Sequence, residues 1–544
     1  MFHPLKCFRI HHFRPLMAWY VFALLSGSIV PVSAQQTIGL FINDSLATEG
    51  YVLFGNAKQT YLIDACGAIV NSWESDYDPG LSMYLLEDGT LLRTAKESGS
   101  FSGGGIGGRI ERFSWEGELL WTGSFANEDY HAHHDIAPLP NGHILVLVWE
   151  KRSETEAQNA GWKFGGSLYS ERILEIEMPG ENEMNIIWEW RLWDHLVQDQ
   201  DAGLPNYGNI GANPMKIDIN FPGPPTGEPF ALAHLNAVSY HAELDQIAVS
   251  SRNYNEVWLI DHNTTSAEAA TSQGDLLYRY GNPQVYQRGS AAEQVLFQQH
   301  DVRWTAEGNL MVFNNNREPT ASSISMWNPE PKPDGTYELN PGQAFGPPIP
   351  EEIYQAPGFY SEIMSGAHPI GSNYFICEGN SGRMFEIDAD QQIVWEYVNP
   401  VNKYSGPMAQ GATARYNELF RATKYPANYP AFSGKDMSGG LPVEINPTEM
   451  DCETLYIQNQ AYYDASDIRI LGNPVSDILL IESDIPDQII HFSLYDLRGR
   501  SVQEYWLQKG INQIQLAPGL SGMFIMEFTD NKWLYFIEKL VVLP

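Results

Sequence analysis

The stretch Tyr130-His131-Ala132-His133-His134-Asp135-Ile136-Ala137-Pro138-Leu139-Pro140-Asn141-Gly142-His143-Ile144-Leu145-Val146 decides the fold, because its pattern returns later in the chain. His134-Asp135-Ile136 is repeated as His300-Asp301-Val302, and in each copy a glycine follows the histidine by eight residues, Gly142 in one and Gly308 in the other. Both copies read as a short strand, a polar turn and a second apolar strand; Asn-Gly suits such a turn because both residues tolerate positive φ. His234-Leu235-Asn236-Ala237-Val238 runs through Asp245-Gln246 into Ile247-Ala248-Val249-Ser250-Ser251-Arg252, a third copy with a longer hairpin. When a β-unit repeats around an axis, equivalent positions form a ring, so His134, His234 and His300 are expected at one end of a channel.

Further units surround these. Tyr61-Leu62-Ile63-Asp64 leads through Gly67 to Trp73, Ile110–Trp115 through Gly117 to Trp121, and Met384–Asp388 to Trp395. Runs such as Ile144–Val148 are apolar at odd and even positions alike, as in strands covered on both faces. Helical periodicity is confined to a short candidate near Ser266–Thr271. The expected fold is all-β, a six-bladed β-propeller over residues 35–440, then a linker over 441–466 and a small β-sandwich over 467–544.

The chain carries 67 acidic against 32 basic residues, a net charge of −35. Such a field repels phosphate backbones, which excludes nucleic acid as a partner and requires a local cationic pocket for any anionic substrate. Lys6, Arg9 and Arg14 precede the apolar run Leu16–Val30 and the small-residue site Val32-Ser33-Ala34, the pattern of a secretory signal peptide over residues 1–34. No later segment is long and apolar enough to span a bilayer, so no transmembrane segment is expected in the mature chain. Once Cys7 has left with the leader, Cys66, Cys377 and Cys452 remain, an odd and widely spaced set that argues against a disulfide framework and against a metal–cysteine site.

His131–Asp135 is the densest imidazole cluster, and neutral imidazoles are good zinc ligands. Strand alternation would set His131 and His133 on one face and His134 on the other, so a metal is not the favoured reading and no cofactor is expected. The plain alternative for each histidine is a strand-end ring satisfied by a carbonyl. His368 opens another inner strand, and Arg317 closes the strand that follows His300. Several imidazoles around one guanidinium suit transfer of a small anionic group: the arginine fork matches a tetrahedral oxyanion, one neutral His attacks and a second moves a proton. A surface ion pair is the plain reading of Arg317. Gly103-Gly104-Gly105-Ile106-Gly107-Gly108 has the G-x-G-x-x-G spelling, but an alternating strand follows it instead of a helix, and it reads as a flexible loop.

His133-His134-Asp135 with Leu139-Pro140-Asn141-Gly142, His234–Val238 with Ser250-Ser251-Arg252, Gly274–Arg279 with Gly281-Asn282-Pro283, and Leu296–Asp301 with Phe313-Asn314-Asn315-Asn316 resemble the bacterial arylsulfotransferase family. The resemblance implies a six-bladed propeller that moves a sulfuryl group from a phenolic sulfate donor to a phenolic acceptor through a sulfated histidine, without a nucleotide. It further implies His234 and His300 as pocket histidines and Arg317 as the sulfate-holding arginine, with His368 as the candidate nucleophile; His134, Asn236, Asn314 and Arg252 are expected to contact substrate. Asn473-Pro474, Tyr495-Asp496-Leu497-Arg498-Gly499-Arg500, Leu520-Ser521-Gly522-Met523-Phe524 and the terminal Lys539-Leu540-Val541-Val542 resemble the type IX (Por) secretion sorting domain. That implies the type IX machinery as a partner and a secreted or surface location. Two other readings remain: a non-catalytic surface binding module, and a metal-dependent hydrolase or lyase using His131–Asp135.

Overall fold

The computed structural model describes residues 36–180, 182–223, 230–318, 320–448, 452, 455–456, 468–471, 475–476, 478–483, 490–496, 500–518, 520–529 and 534–542. The signal-peptide reading of residues 1–34, much of the linker, Asn473-Pro474 and Leu497-Arg498-Gly499 lie outside the described residues.

Six sheets, each built on four antiparallel strands, follow one another as the blades of a propeller. Their inner strands are Thr423–Pro426, Pro79–Leu85, Tyr130–Pro138, Leu235–His241, His300–Trp304 and Gly366–Ile370, here the first to sixth blades. The ring closes at two places. Thr423–Pro426, near the end of the repeat region, pairs with Gly50–Asn56 and gives the first blade its inner strand. Gly39–Asn43, near the beginning, pairs with Ile393–Val398 as a fifth strand of the last blade. The end of the repeat region therefore supplies one strand of a blade whose other three strands lie at the opposite end of the chain. Leu455–Tyr456 pairs in turn with Gly39–Asn43, so this sheet continues into the segment read as a linker.

The recurring tryptophans explain how blades register on one another. Trp73 on the outer strand of the first blade donates to the Ser114 carbonyl in a turn of the second, 2.8 Å away. Trp121 of the second reaches the carbonyl of Glu183, at the start of the third blade's outer strand, at 3.0 Å, and Trp395 of the sixth reaches Ala65 in a turn of the first at 2.9 Å. Each ring fills apolar space while its N–H satisfies a backbone carbonyl of the following blade, the two tasks an indole performs together. The helices are short, Glu154–Asn159 and Ser266–Ala269, both opened by a capping box.

Beyond the propeller, Ile468–Ile470, Ile478–Ser483 and Gly510–Gln515 form one sheet, and Ser501–Leu507, Ile490–Asp496, Gly522–Thr529 and Leu534–Val542 another. Leu479, Ile481 and Ile514 of the first share a buried cluster with Phe492, Leu494, Leu507 and Phe528 of the second.

The expectation of no disulfide is overturned. Cys66 and Cys452 are bonded, with Cα atoms 5.6 Å apart across 386 residues of sequence. Wide spacing misled the cysteine count because closure of the ring brings the two ends of the repeat region together; Asn43 donates to the Cys452 carbonyl beside the bond. Cys377 remains a buried free thiol. A chain trimmed after Ala34, unfolded without reductant and alkylated, should take up one label at Cys377, and three after reduction. Three labels without reductant, read by intact mass, would refute the bond.

Candidate functional site

The inner strands are not regular where the repeated histidines lie. His134, His234 and Asp301 have φ of 49°, 51° and 55°, in the left-handed region. The strand ladders slip at these points, between the partners of Val146 and Val148, between Leu235 and Ala237 and between His300 and Arg303. A bulge re-aims the side chain it carries. Here it defeats the alternation expected for His133 and His134, whose Nδ1 atoms meet at 2.9 Å.

In both His-Asp copies the aspartate turns away from the histidine and binds the following blade. Asp135 Oδ2 accepts from the Val238 amide of the fourth blade at 3.1 Å, and Asp301 Oδ2 from the Ala367 amide of the sixth, also at 3.1 Å. Arg421, directly ahead of the first blade's inner strand, spans the axis between them, 2.9 Å from Asp135 and 3.1 Å from Asp301. Tyr84 of the second blade donates to Asp135 at 2.9 Å, and Arg303 donates to Asp301 at 2.9 Å. Gly366 faces Asp301 so closely that a Cβ would stand 2.1 Å from Oδ2. Burial opposes the charge on Arg421, but the Asp135 and Asp301 carboxylates outweigh it and its pKa is raised; Asp301 is held low, against burial, by Arg303 and Arg421.

Three imidazoles and one guanidinium gather beside this layer. The His134 and His234 rings meet edge to face with centroids 4.8 Å apart. His300 Nδ1 lies 2.8 Å from Asn315 Oδ1 and 3.1 Å from the Gln298 carbonyl. Asn315 Nδ2 donates to the carbonyls of Ser361 and Met364, so its oxygen faces the ring and His300 must donate from Nδ1. That tautomer leaves a bare lone pair on Nε2. Burial, then the Arg252 charge, holds His234 at about 3; burial, offset in part by the Asn315 bond, holds His300 at about 4. His134 is pushed well below its ordinary value by burial and then by His234. All three rings are therefore neutral at neutral pH.

Arg252 is half-buried; its charge acts on His134, His234 and His300. Its Nη2 donates to the amide oxygen of Gln298 at 3.1 Å; among the described residues it makes no ion pair with a carboxylate, although the charge of Glu362 acts on it from farther away. Burial lowers its pKa, yet a guanidinium keeps its charge in any folded protein.

The structure thus brings together His134, His234, His300 and Arg252 of the expected set. Asn236 and Asn314 stand behind them: Asn236 donates to the Gln299 carbonyl at 2.8 Å, and Asn314 holds the Phe297 amide and the Val295 carbonyl, fixing the turn that delivers His300. Arg317 and His368 are not brought to this group. Arg317 follows a slip in the ladder between Asn314 and Glu318, turns outward, lies 3.5 Å from Glu352 and lines a separate cleft with Tyr280, Asn328 and Phe345. His368 is too far along its strand: four residues before Val238 comes His234, whereas four before Ala367 comes Ile363. Its Nε2 faces the Lys424 backbone at 3.1 Å to the carbonyl and 3.2 Å to the amide, across the seam between the sixth and first blades.

Several members of the site were not singled out from sequence. Arg421 belongs to no histidine unit, and Glu171, Trp149 and Asn315 look like ordinary strand residues. Gly105, in the glycine-rich segment read as a flexible loop, packs on His134, where a Cβ would fall 2.1 Å from Nε2. Among the described residues no group of three or more His, Cys, Asp or Glu is arranged to hold a metal.

Fold and site together define a six-bladed β-propeller with neutral histidines and an unpaired arginine at one end of its axis. Residues 40–410 match the family Arylsulfotransferase (ASST), and the chain belongs to that family. Membership supports an aryl sulfotransferase function in general terms. Residues 469–543 match the Secretion system C-terminal sorting domain, which makes this a type IX secreted or cell-surface protein. No helix among the described residues is long and apolar enough to cross a membrane. No curated protein matches the chain. Solved structures similar to it include a protein of unknown function from Bacteroides caccae, at 11% identity and a TM-score of 0.36 over 69% of this chain and 99% of that one. Another is a periplasmic gluconolactonase of Pseudomonas aeruginosa, at 12% identity and 0.34 over 64% and 96%. Scores this low carry no argument about function.

Two outcomes follow for stability. Arg421→Met leaves Asp135 buried without a counter-charge and Asp301 with Arg303 alone, and should cost about 3–5 kcal/mol in a denaturant titration; a loss below about 1 kcal/mol would show that the layer is dispensable. The unfolded chain protonates histidine near pH 6.5, whereas His300 and His234 resist to about 4 and about 3. The unfolded state therefore binds the extra protons in that window, and stability falls as pH falls through it. A double His234→Gln, His300→Gln variant should lose less Tm than the parent between those limits; an equal loss contradicts the depressed values.

Proposed function

We propose that the protein moves a sulfuryl group from a phenolic sulfate ester to a phenolic acceptor through a sulfohistidine at His300. The observation that carries this reading is Arg252, a half-buried guanidinium without a carboxylate partner, placed beside imidazoles that are neutral. In a chain of net charge −35, a partly exposed cation held beside neutral imidazoles and outside any ion pair is a seat for a small anion. The arginine fork takes sulfate oxygens, and its charge opposes the repulsion that an anionic ester would otherwise meet.

His300 suits the nucleophile better than His368. Asn315 and the Gln298 carbonyl hold its Nδ1–H, so Nε2 presents its lone pair throughout the neutral range. Attack of Nε2 on sulfur breaks the bond to the phenolic oxygen, and the departing oxygen is protonated through a neighbouring imidazole, His134 or His234, which passes on one proton as it receives another on its second nitrogen and so stays neutral. An acceptor phenol then enters, gives up its proton along the same route and attacks the sulfohistidine. Asn236 and Asn314 serve by fixing the turn before His300. The two C-terminal sheets, sharing one apolar cluster, read as the small β-sandwich of the sorting domain, and residues 1–34 as the leader that first exports the chain.

The test is phenol release from p-nitrophenyl sulfate with and without a second phenol, followed by intact-mass analysis of the donor-only sample. The expected result is acceptor-dependent release and one added sulfuryl group, absent in His300→Ala. Arg252→Ala should reduce kcat/KM by on the order of 100- to 1,000-fold, the usual effect of removing a group that stabilises developing negative charge. Full transfer by a folded His300→Ala protein would overturn the assignment.

A further inference from the structure

Behind His134 lies a chain of groups that the reaction above does not use. His133 Nε2 is 2.8 Å from Glu171 Oε2, and neither side chain has exposed surface. The contact does not meet hydrogen-bond geometry, but among the described residues His133 is the one group within ion-pair distance of this carboxylate that can carry a positive charge. On its other side His133 Nδ1 meets His134 Nδ1 at 2.9 Å. The His133 ring lies flat on Trp149, with centroids 4.3 Å apart and planes inclined by 12°, so it cannot swing away from either neighbour. Glu171 Oε1 accepts the Leu235 amide at 3.2 Å, which orients the carboxylate.

Tautomers in such a chain are not independent. Glu171 only accepts, so His133 carries a proton on Nε2. When His133 carries a second proton on Nδ1, it donates to His134 Nδ1, and His134 holds its own proton on Nε2. When His133 Nδ1 is bare, His134 must donate to it, and His134 Nε2 is the bare one. The two arrangements differ by one proton, and what changes at the pocket is whether His134 Nε2 can give a proton or take one. His134 Nε2 has no hydrogen-bond partner among the described residues, and Gly105 packs against the ring, where a Cβ would stand 2.1 Å from Nε2. A carboxylate without solvent contact calls for a counter-charge, and His133 is the group in contact with it that can carry one.

We propose that Glu171 and His133 are a proton store that acts through His134, loading it to protonate the departing phenolic oxygen and emptying it to accept the proton of the incoming phenol. The inference rests on the sulfuryl-transfer reading. In the first half-reaction, His300 Nε2 bonds to sulfur and the sulfur–oxygen bond breaks. The proton on His134 Nε2 passes to the phenolic oxygen, and the Nδ1 proton of His133 moves to His134 Nδ1. His300 keeps its Nδ1–H against Asn315, and the sulfuryl group stays on it. The second half-reaction reverses each transfer, so protons and charge balance over the cycle. The groups that act on this chain from neighbouring elements are His131, His134 and His234 beside His133, and Arg252 and His300 beside His134. Glu171 and His133 are positioning residues in this scheme, since neither touches substrate.

The test separates proton supply from structure by changing the leaving group. A nitrophenyl group departs readily as its anion, whereas unsubstituted phenol, with a pKa near ~10, needs a proton as it leaves. In the full-length protein, Glu171→Gln keeps the acceptor for Leu235 but removes the charge that holds the second proton. Transfer from phenyl sulfate should slow by on the order of 100-fold, and transfer from p-nitrophenyl sulfate by less than about 5-fold. His133→Asn, which carries no transferable proton, must show the same split. Equal slowing of both donors, or of neither, overturns the store and leaves sulfuryl transfer standing. If the unmodified protein gains no sulfuryl mass from either donor, the transfer reading falls and takes the store with it.

Discussion

The whole propeller is organised around one buried guanidinium. Arg421 comes from the first blade, Asp135 from the third and Asp301 from the fifth, and each aspartate also binds a backbone amide of the blade that follows. Tyr84 adds the second blade, so this layer ties all six to the axis. A buried ion pair contributes little net stability over a packed apolar core, because desolvation offsets most of the attraction. Its consequence is geometric. Apolar faces alone would tolerate a small rotation of one blade against the next, whereas a carboxylate accepting one amide and one guanidinium at about 3 Å tolerates very little. The histidines stand on the same strand ends as these aspartates and inherit that precision.

The layer also sets the electrostatics of the pocket. Asp135 and Asp301 beside a sulfate site would repel the substrate if they stood alone. Arg421 and Arg303 neutralise them, leaving a floor with no net charge, and Arg252, which makes no ion pair among the described residues and feels only the more distant charge of Glu362, is the cation that acts on the imidazoles. The same compensation explains why the imidazoles stay neutral. Their nearest charges are cationic, the carboxylates below are already matched, and burial does the rest. An acid-rich surface, useful for solubility outside the cell, is thereby kept from governing the chemistry at the centre.

Much of the fold was legible because the repeat is written in turn chemistry and in tryptophans. The Asn-Gly and Asp-Gly turns and Trp73, Trp121 and Trp395 mark hairpin positions whose spacing does not depend on the rest of the chain. The site was legible in type and only partly in membership. His134, His234 and His300 share one place in their units, so the repeat placed them together. Arg252 and Arg317 also share a place, at the close of the second strand, and nothing in the spelling says that the ladder slips before Arg317 and turns it outward. His368 lies on an inner strand, but its depth along the axis depends on which residue of its blade receives the aspartate, a tertiary fact. Arg421 and Cys452 lie where the chain comes back to its own beginning, and closure is invisible to any local pattern.

The strained backbone at the histidines follows from what the site must do. A residue at the end of an inner strand can present its side chain to the neighbouring blade or along the sheet, but regular alternation never points two successive side chains into one pocket. Holding His133 and His134 nitrogen to nitrogen requires a break in that alternation, and the left-handed φ of His134 supplies it at a cost of about 1–3 kcal/mol. Such a conformation persists only where its surroundings leave no alternative. Here the His134 amide is bonded to Gly105, the ring rests on that glycine, and Asp135 is locked to Val238 and Arg421 on the opposite side. The buried charge layer and the strained histidine are therefore one device: the aspartate's bonds keep the bulge in place, and the bulge directs the imidazole.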